Sequence, residues 1–111
     1  MDAVLEAIVD PHRRTLLAAL HDGPATVSEL AELLPIARPG VSRHLRILRE
    51  AGLVEVRPDA QRRIYELRTE PLVELDEWLA PYRELWLHRM AALHTEVRRG
   101  KKRNERDEGP R

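Results

Sequence analysis

At 111 residues the chain has room for one domain whose core is modest for its surface, so a partner subunit is expected to add stability. It contains no cysteine, which excludes disulfides, thiolate metal sites and cysteine nucleophiles together and fits a reducing compartment. The zero net charge conceals an alternation: residues 1–37 carry two arginines against six acids, 38–68 eight against four, 69–97 two against six, and 98–111 seven basic residues against three acids.

A polyanion is therefore drawn to residues 38–68 and discouraged by the acidic blocks on either side. No apolar run approaches the roughly 18 residues that cross a bilayer, and the acidic residues 1–10 lack the basic start of a signal peptide. A cytoplasmic protein with no membrane partner is expected.

The chain opens with Val4, Leu5 and Ile8 on one side of a short helix. Asp10 and Pro11 read as an N-cap and a first helical position, starting a second helix to about His21 that buries Leu16, Leu17 and Leu20. Asp22-Gly23-Pro24 stops it. Thr26 and Glu29 have capping-box spacing and begin a third helix with Leu30, Leu33 and Leu34 as its apolar side, ended by Pro35.

Residues 37–52 are the stretch that the rest is built to hold. Val41, Leu45 and Leu48 recur at i, i+4, i+7 with Ile47 beside them, so one helical face turns inward. Arg38, Ser42, Arg43, Arg46 and Arg49 fall on the other side, a dry-backed helix with a basic face suited to a nucleic-acid groove. Residues 26–51 thus read as helix, tight turn, helix, the arrangement whose second helix enters DNA.

After Gly52 the period changes to two. Val54 and Val56, then Tyr65 and Leu67, alternate with charged residues and describe a hairpin whose loop, residues 58–63, ends in Arg62 and Arg63. The fold class expected is mostly α with a small β-hairpin wing, a winged helix-turn-helix. Pro71 opens a last helix with an apolar stripe of Leu72, Leu75, Leu79, Tyr82, Trp86, Leu93 and Val97, widened by Trp78, Leu85 and Met90. That is more than one small core can cover, so a homodimer is expected with Leu5, Ile8, Leu79, Tyr82, Trp86 and Leu93 at its interface. Pro81 predicts a kink or break near residues 79–80. The domain then spans 1–97, and residues 98–111, without an apolar side chain except a proline, are expected to form a mobile charged tail.

With these elements in place the sequence resembles the ArsR family of bacterial winged-helix transcriptional regulators over roughly residues 3–97. Asp10-Pro-His-Arg-Arg14, Ser28-Glu-Leu-Ala-Glu32, Val41-Ser-Arg-His-Leu-Arg46 and Ala51-Gly-Leu-Val54 carry the resemblance. It implies a homodimer joined by the first and last helices, usually a repressor, with two recognition helices in successive major grooves of a pseudo-palindromic double-stranded DNA operator. It also implies DNA contacts by Arg38, Gly40, Ser42, Arg43 and His44, and by Gln61, Arg62 and Arg63 from the wing. Pro39 and Arg46, on the same helix, complete the expected set.

Three positions depart from the family pattern. Pro35 stands where a glycine is common, Ala37 where a serine N-cap is common, and Gly40 where a bulkier residue is usual. A missing cap costs about 1 kcal/mol; phosphate oxygens are expected to accept from the freed amides of Arg38 and Gly40, and Pro35 to offset the loss by restricting the unfolded chain.

Many relatives sense metals. Their third-helix cysteine pair falls within residues 30–34, where Glu32 is the one ligand type present. In the last helix Glu84 and His88 share a face, but His88 and His94 stand roughly 240° apart and cannot hold one ion within one chain. No metal and no cofactor are expected; the signal is expected to be a small molecule, a partner, or nothing beyond the protein's own concentration. Ser42 and His44 are two apart on one helix and diverge, so no nucleophile and base pair exists and no enzyme is expected. The competing reading is a winged helix used as a protein-interaction module through its stripe at residues 72–97; the arginine face of the recognition helix argues against it.

Overall fold

Asp10 shows how local chemistry builds the first corner. The computed structural model describes residues 1–107, with side chains to Arg98. Helix α1 (Asp2–Val9) ends at Asp10, whose extended backbone and carboxylate then open α2 (Pro11–Asp22), accepting from the amides of His12 (2.8 Å) and Arg13 (3.2 Å). The guanidiniums behind it close the other end. Arg13 donates to the carbonyls of Ala7 and Glu6, and Arg14 to those of Ile8 and Val9. The last four carbonyls of α1, which no helix can satisfy internally, thus all have partners.

Gly23 ends α2, and residues Ala25–Thr26 form β1, a short strand that the sequence did not announce. Thr26 is also the N-cap of α3 (Val27–Ala31): its hydroxyl accepts from the Glu29 amide and the Glu29 carboxylate accepts from the Thr26 amide, both at 3.2 Å. The expected capping box is present, but α3 is shorter than expected. Beyond Ala31 the chain tightens into bonds from Leu33 to Leu30 and from Leu34 to Ala31, which turns Leu34 inward and leaves Leu33 exposed. The connection to α4 (Arg38–Glu50) is therefore Glu32–Ala37 rather than a tight turn, since Pro35 also denies helical backbone to Leu34.

Helix α4 buries Val41, Leu45 and Leu48 completely, as their spacing predicts. Gly52, at φ 80°, ends it in a Schellman arrangement: its amide donates to Arg49 at 2.9 Å and that of Leu53 to Leu48 at 3.0 Å. Strands β2 (Val54–Asp59) and β3 (Arg62–Leu67) pair antiparallel with Val54 opposite Leu67 and Val56 opposite Tyr65, and β1 adds to the far side of β3 to give the order β1-β3-β2. The hairpin loop is tighter than the expected residues 58–63. Asp59 pairs with Arg62, so Ala60 and Gln61 alone make the turn, with Ala60 in the left-handed region at φ 56°. The core of Val4, Ala7, Leu16, Leu20, Leu30, Leu34, Val41, Leu45, Leu48, Leu53, Val54 and Tyr65 knits these elements together.

Contacts divide the chain into Met1–Asp76 and Glu77–Arg111, with α5 (Glu70–Asp107) contributing to each. Of the kink or break expected near residues 79–80, the break does not occur: the helix is continuous through Pro81. The proline withholds the amide that would bond the Glu77 carbonyl, but both residues are exposed and water can serve that carbonyl. In the second unit Trp78, Tyr82, Leu85, Trp86, Met90, Leu93 and Val97 are all more than half exposed, and the rings of Trp78 and Tyr82 stack tilted at 5.1 Å. Helix α5 also runs through much of the expected tail. Arginine, lysine and glutamate are good helix formers that extend a helix already nucleated. Residues 108–111 lie outside the described residues.

Candidate nucleic-acid interface

Because α4 buries Val41, Leu45 and Leu48 against the core, the side chains on its opposite face point away from the body of the domain. Ser42, Arg43, Arg46 and Arg49 are exposed, and Pro39, Ser42, Arg43 and Arg46 line a shallow cleft along the helix. Among the described residues the side chains of Arg43, Arg46, Arg49 and Arg63 make no ion pair and no hydrogen bond. Their charge is uncompensated, as a surface awaiting an anion requires.

The start of α4 is held from the side rather than capped. Ala37 supplies no side-chain bond, yet the Gly40 amide, expected to be free, donates to the Ala37 carbonyl at 2.9 Å. Gly40 also fits Ile36 closely: a Cβ there would stand 3.2 Å from Ile36 Cδ1, so that side chain would have to give by a few tenths of an ångström. Arg38 reaches across to α3, its guanidinium donating to the Ser28 hydroxyl at 2.7 Å. Ser28 was legible in the sequence as part of α3, but its contact with Arg38 was not.

The wing joins the same surface. Thr26, Val27, Ser28, Glu29, Arg38, Gln61, Arg62 and Arg63 line one cleft between the first turn of α3 and the hairpin tip, so Arg38 and the three wing residues come together. Arg62 is only loosely engaged, 3.4 Å from Asp59. Lower on the hairpin, Glu55 and Glu66 face each other across the ladder, an unfavourable pair unless offset. Arg68 binds Glu55 and reaches Glu70 at 3.1 Å, and Arg57 lies 3.8 Å from Glu66.

His44 behaves differently from its neighbours. The structure does not bring it to the exposed face with Ser42 and Arg43; it is half-buried, its Nδ1 3.3 Å from Arg13 Nη1 and its ring 5.7 Å from that of His12. Burial pushes its pKa below the ordinary histidine value, the carboxylate of Asp10 opposes that, and the charges of Arg13, His12 and Arg43 add to it.

A helix-turn-helix domain model matches residues 8–57, which span α2, β1, α3, α4 and the start of the wing. Over 74 residues the chain is 43% identical to the HTH-type transcriptional regulator Rv2034 of Mycobacterium tuberculosis, covering 67% of this chain and 69% of that protein. It is 35% identical to the transcriptional repressor SdpR of Bacillus subtilis over 71% of this chain and 88% of that one. The crystal structure of an ArsR family transcriptional regulator superposes with a TM-score of 0.70 at 35% identity, covering 77% of this chain and 93% of that one. The chain belongs to the ArsR family.

As an ArsR-family winged-helix protein it is a DNA-binding transcriptional regulator and not an enzyme. Lacking cysteine, it is of the type without the cysteine metal-sensing motif. No helix among the described residues is long and apolar enough to cross a membrane. The α1–α2 corner, whose Asp10-Pro-His-Arg-Arg14 segment carried part of the family resemblance, owes its chemistry to carbonyl capping by Arg13 and Arg14. That capping joins groups five to seven residues apart and left no periodic signal to read.

Proposed function

We propose that the protein is a homodimeric cytoplasmic repressor that binds a pseudo-palindromic operator, with α4 in the major groove and the wing against the flanking backbone. The observation that carries this reading is the set of exposed, unpaired arginines Arg43, Arg46, Arg49 and Arg63 around a helix whose other face is fully buried. Arg43 and Ser42 meet base edges; Arg38, Pro39, Gly40 and Arg46, with Gln61, Arg62 and Arg63, meet or shape the approach to phosphates. His44 supports that surface from behind.

The homodimer reading is supported by the apolar side chains left uncovered in the second unit, which exceed what a monomer ordinarily exposes. Leu79, Tyr82, Trp86 and Leu93 meet a second copy, together with Leu5, which is 39% exposed, and the partly buried Ile8. A titration against random duplex DNA at 50 and 200 mM salt tests the DNA surface. If about six to ten phosphates are neutralised, affinity falls by roughly 10³ to 10⁵ over that range. A flat response would instead favour a protein-interaction module.

A further inference from the structure

We propose that His44 is a positioning residue for DNA binding: its neutral imidazole, accepting a hydrogen bond from Arg13, seats the recognition helix on the α1–α2 corner, and protonation unseats it. This rests on the DNA-binding reading above only for its consequence, not for its chemistry.

A guanidinium has donors and no acceptor. Arg13 Nη1 lies 3.3 Å from His44 Nδ1, so Nδ1 must present its lone pair and the ring proton must sit on Nε2. The guanidinium is not free to turn aside, because its Nε donates to Ala7 O at 2.6 Å and its Nη2 to Glu6 O at 2.9 Å. It is therefore a fixed donor, anchored to the end of α1, that reads the protonation state of a ring on α4.

Adding a proton turns Nδ1 into a donor, abolishes the bond and opposes two cations across the same gap. Among the described residues the titratable and charged groups acting on the ring are few. From the start of α2 come Asp10, His12 and Arg13, from α4 itself Arg43, and α1 contributes the carbonyls that hold Arg13. Asp10 is the one anion among them, and its Oδ1 already accepts from the amides of His12 and Arg13. Burial, the first cause, and the charges of Arg13 and Arg43 keep the ring neutral below the usual histidine range, with His12 acting in the same direction.

The sign follows. Since the unfolded chain binds this proton more readily, the bond stabilises fully above about pH 6.5 and disappears as pH falls through the lower folded-state pKa. Ser42, Arg43 and Arg46 ride on the same turns of α4, so unseating the helix spoils their aim while leaving the net positive charge in place. Preference for a chosen sequence should drop, and attraction to DNA in general should not.

Two measurements on the intact protein test this. In nitrogen-edited NMR, His44 should show the Nε2–H tautomer near neutrality and titrate below pH 6.5, with amide shifts of residues 41–48 following the same midpoint; in His44→Asn, which keeps an acceptor near the Nδ1 position, those amide shifts should stay flat. For binding, a duplex selected by the protein from a random pool and an unselected random duplex are compared at pH 7.5 and 5.5. The selected-over-random ratio should fall by up to about a hundredfold per pH unit below the midpoint, the limit for two excluded protons, one on each protomer of the proposed dimer, and stay constant in His44→Asn. An Nδ1–H tautomer, a midpoint at or above 6.5, or a pH response that survives in His44→Asn and vanishes in His12→Gln overturns the proposal. Failure to bind either duplex would overturn the DNA reading alone, since the NMR result decides the hydrogen bond without DNA.

Discussion

The guanidinium of Arg38 donates to the hydroxyl of Ser28 at 2.7 Å, tying the first residue of the recognition helix to the first turn of α3. It anchors from the side the start of a helix whose N-cap, Ala37, offers no side-chain acceptor. Both residues are exposed, so Ser28→Ala should change stability by no more than about 0.5 kcal/mol. Its effect should be local: amide hydrogen exchange in the first turn of α4 should accelerate, and unchanged exchange there would show that this bond does not hold the helix start.

Asp10 should give the protein an acid-sensitive step. Slight desolvation raises its pKa, but the amides of Arg13 and His12 and the nearby charges of His44 and Arg13 outweigh it and hold the carboxyl below its ordinary value. A depressed carboxylate stabilises the fold fully above about pH 3.9, its unfolded value, and the contribution disappears as pH falls through the folded one. Asp10→Asn keeps a good cap without the charge, so urea unfolding should find it near the unaltered protein at neutral pH and less sensitive below pH 4. Asp10→Ala should lose about 1 kcal/mol at neutral pH.

Ala60 carries the strain of the wing tip. An L-residue in the left-handed region costs about 1–2 kcal/mol, and glycine removes that while losing up to about 1 kcal/mol through the freer unfolded chain. Ala60→Gly should therefore stabilise the protein by up to about 1.5 kcal/mol, read as a rise in the denaturation midpoint. No gain would mean that the turn relaxes in solution to a conformation any residue accepts.

Arg43 and the wing arginines should fail differently. Arg43→Ala removes a guanidinium able to bond two acceptors of a guanine, so preference for a selected duplex should fall by about 1–3 kcal/mol while random-duplex affinity is largely kept. The Arg62→Ala, Arg63→Ala double variant should weaken all sequences alike and reduce the salt slope by roughly one unit for each phosphate no longer neutralised. The reverse pattern would exchange the two roles.

Trp86 is 63% exposed on α5, a large apolar side chain open to solvent in the single chain. In the proposed dimer, Trp86→Ala should weaken assembly by about 3 kcal/mol or more, measured by sedimentation across a dilution series. A monomer at tens of micromolar for the unaltered protein would remove the basis of that expectation.

What the amino-acid order determined by itself is what depends on near neighbours. The Thr26–Glu29 box, the Asp10 cap, the Gly52 stop, the buried triplet Val41, Leu45 and Leu48 and the pairing of the two wing strands all follow from spacings within one turn, one helix face or one hairpin. Tertiary structure decided the rest, because it depended on which distant groups still lacked partners. The β1 strand exists because the edge of β3 had bonds left to make, and Leu34 rather than Leu33 is buried because the chain tightened ahead of Pro35. His44 shows the limit most sharply: the family resemblance put it with the DNA contacts of α4, and only the arrival of Arg13 from thirty-one residues away gave its ring a partner inside the corner.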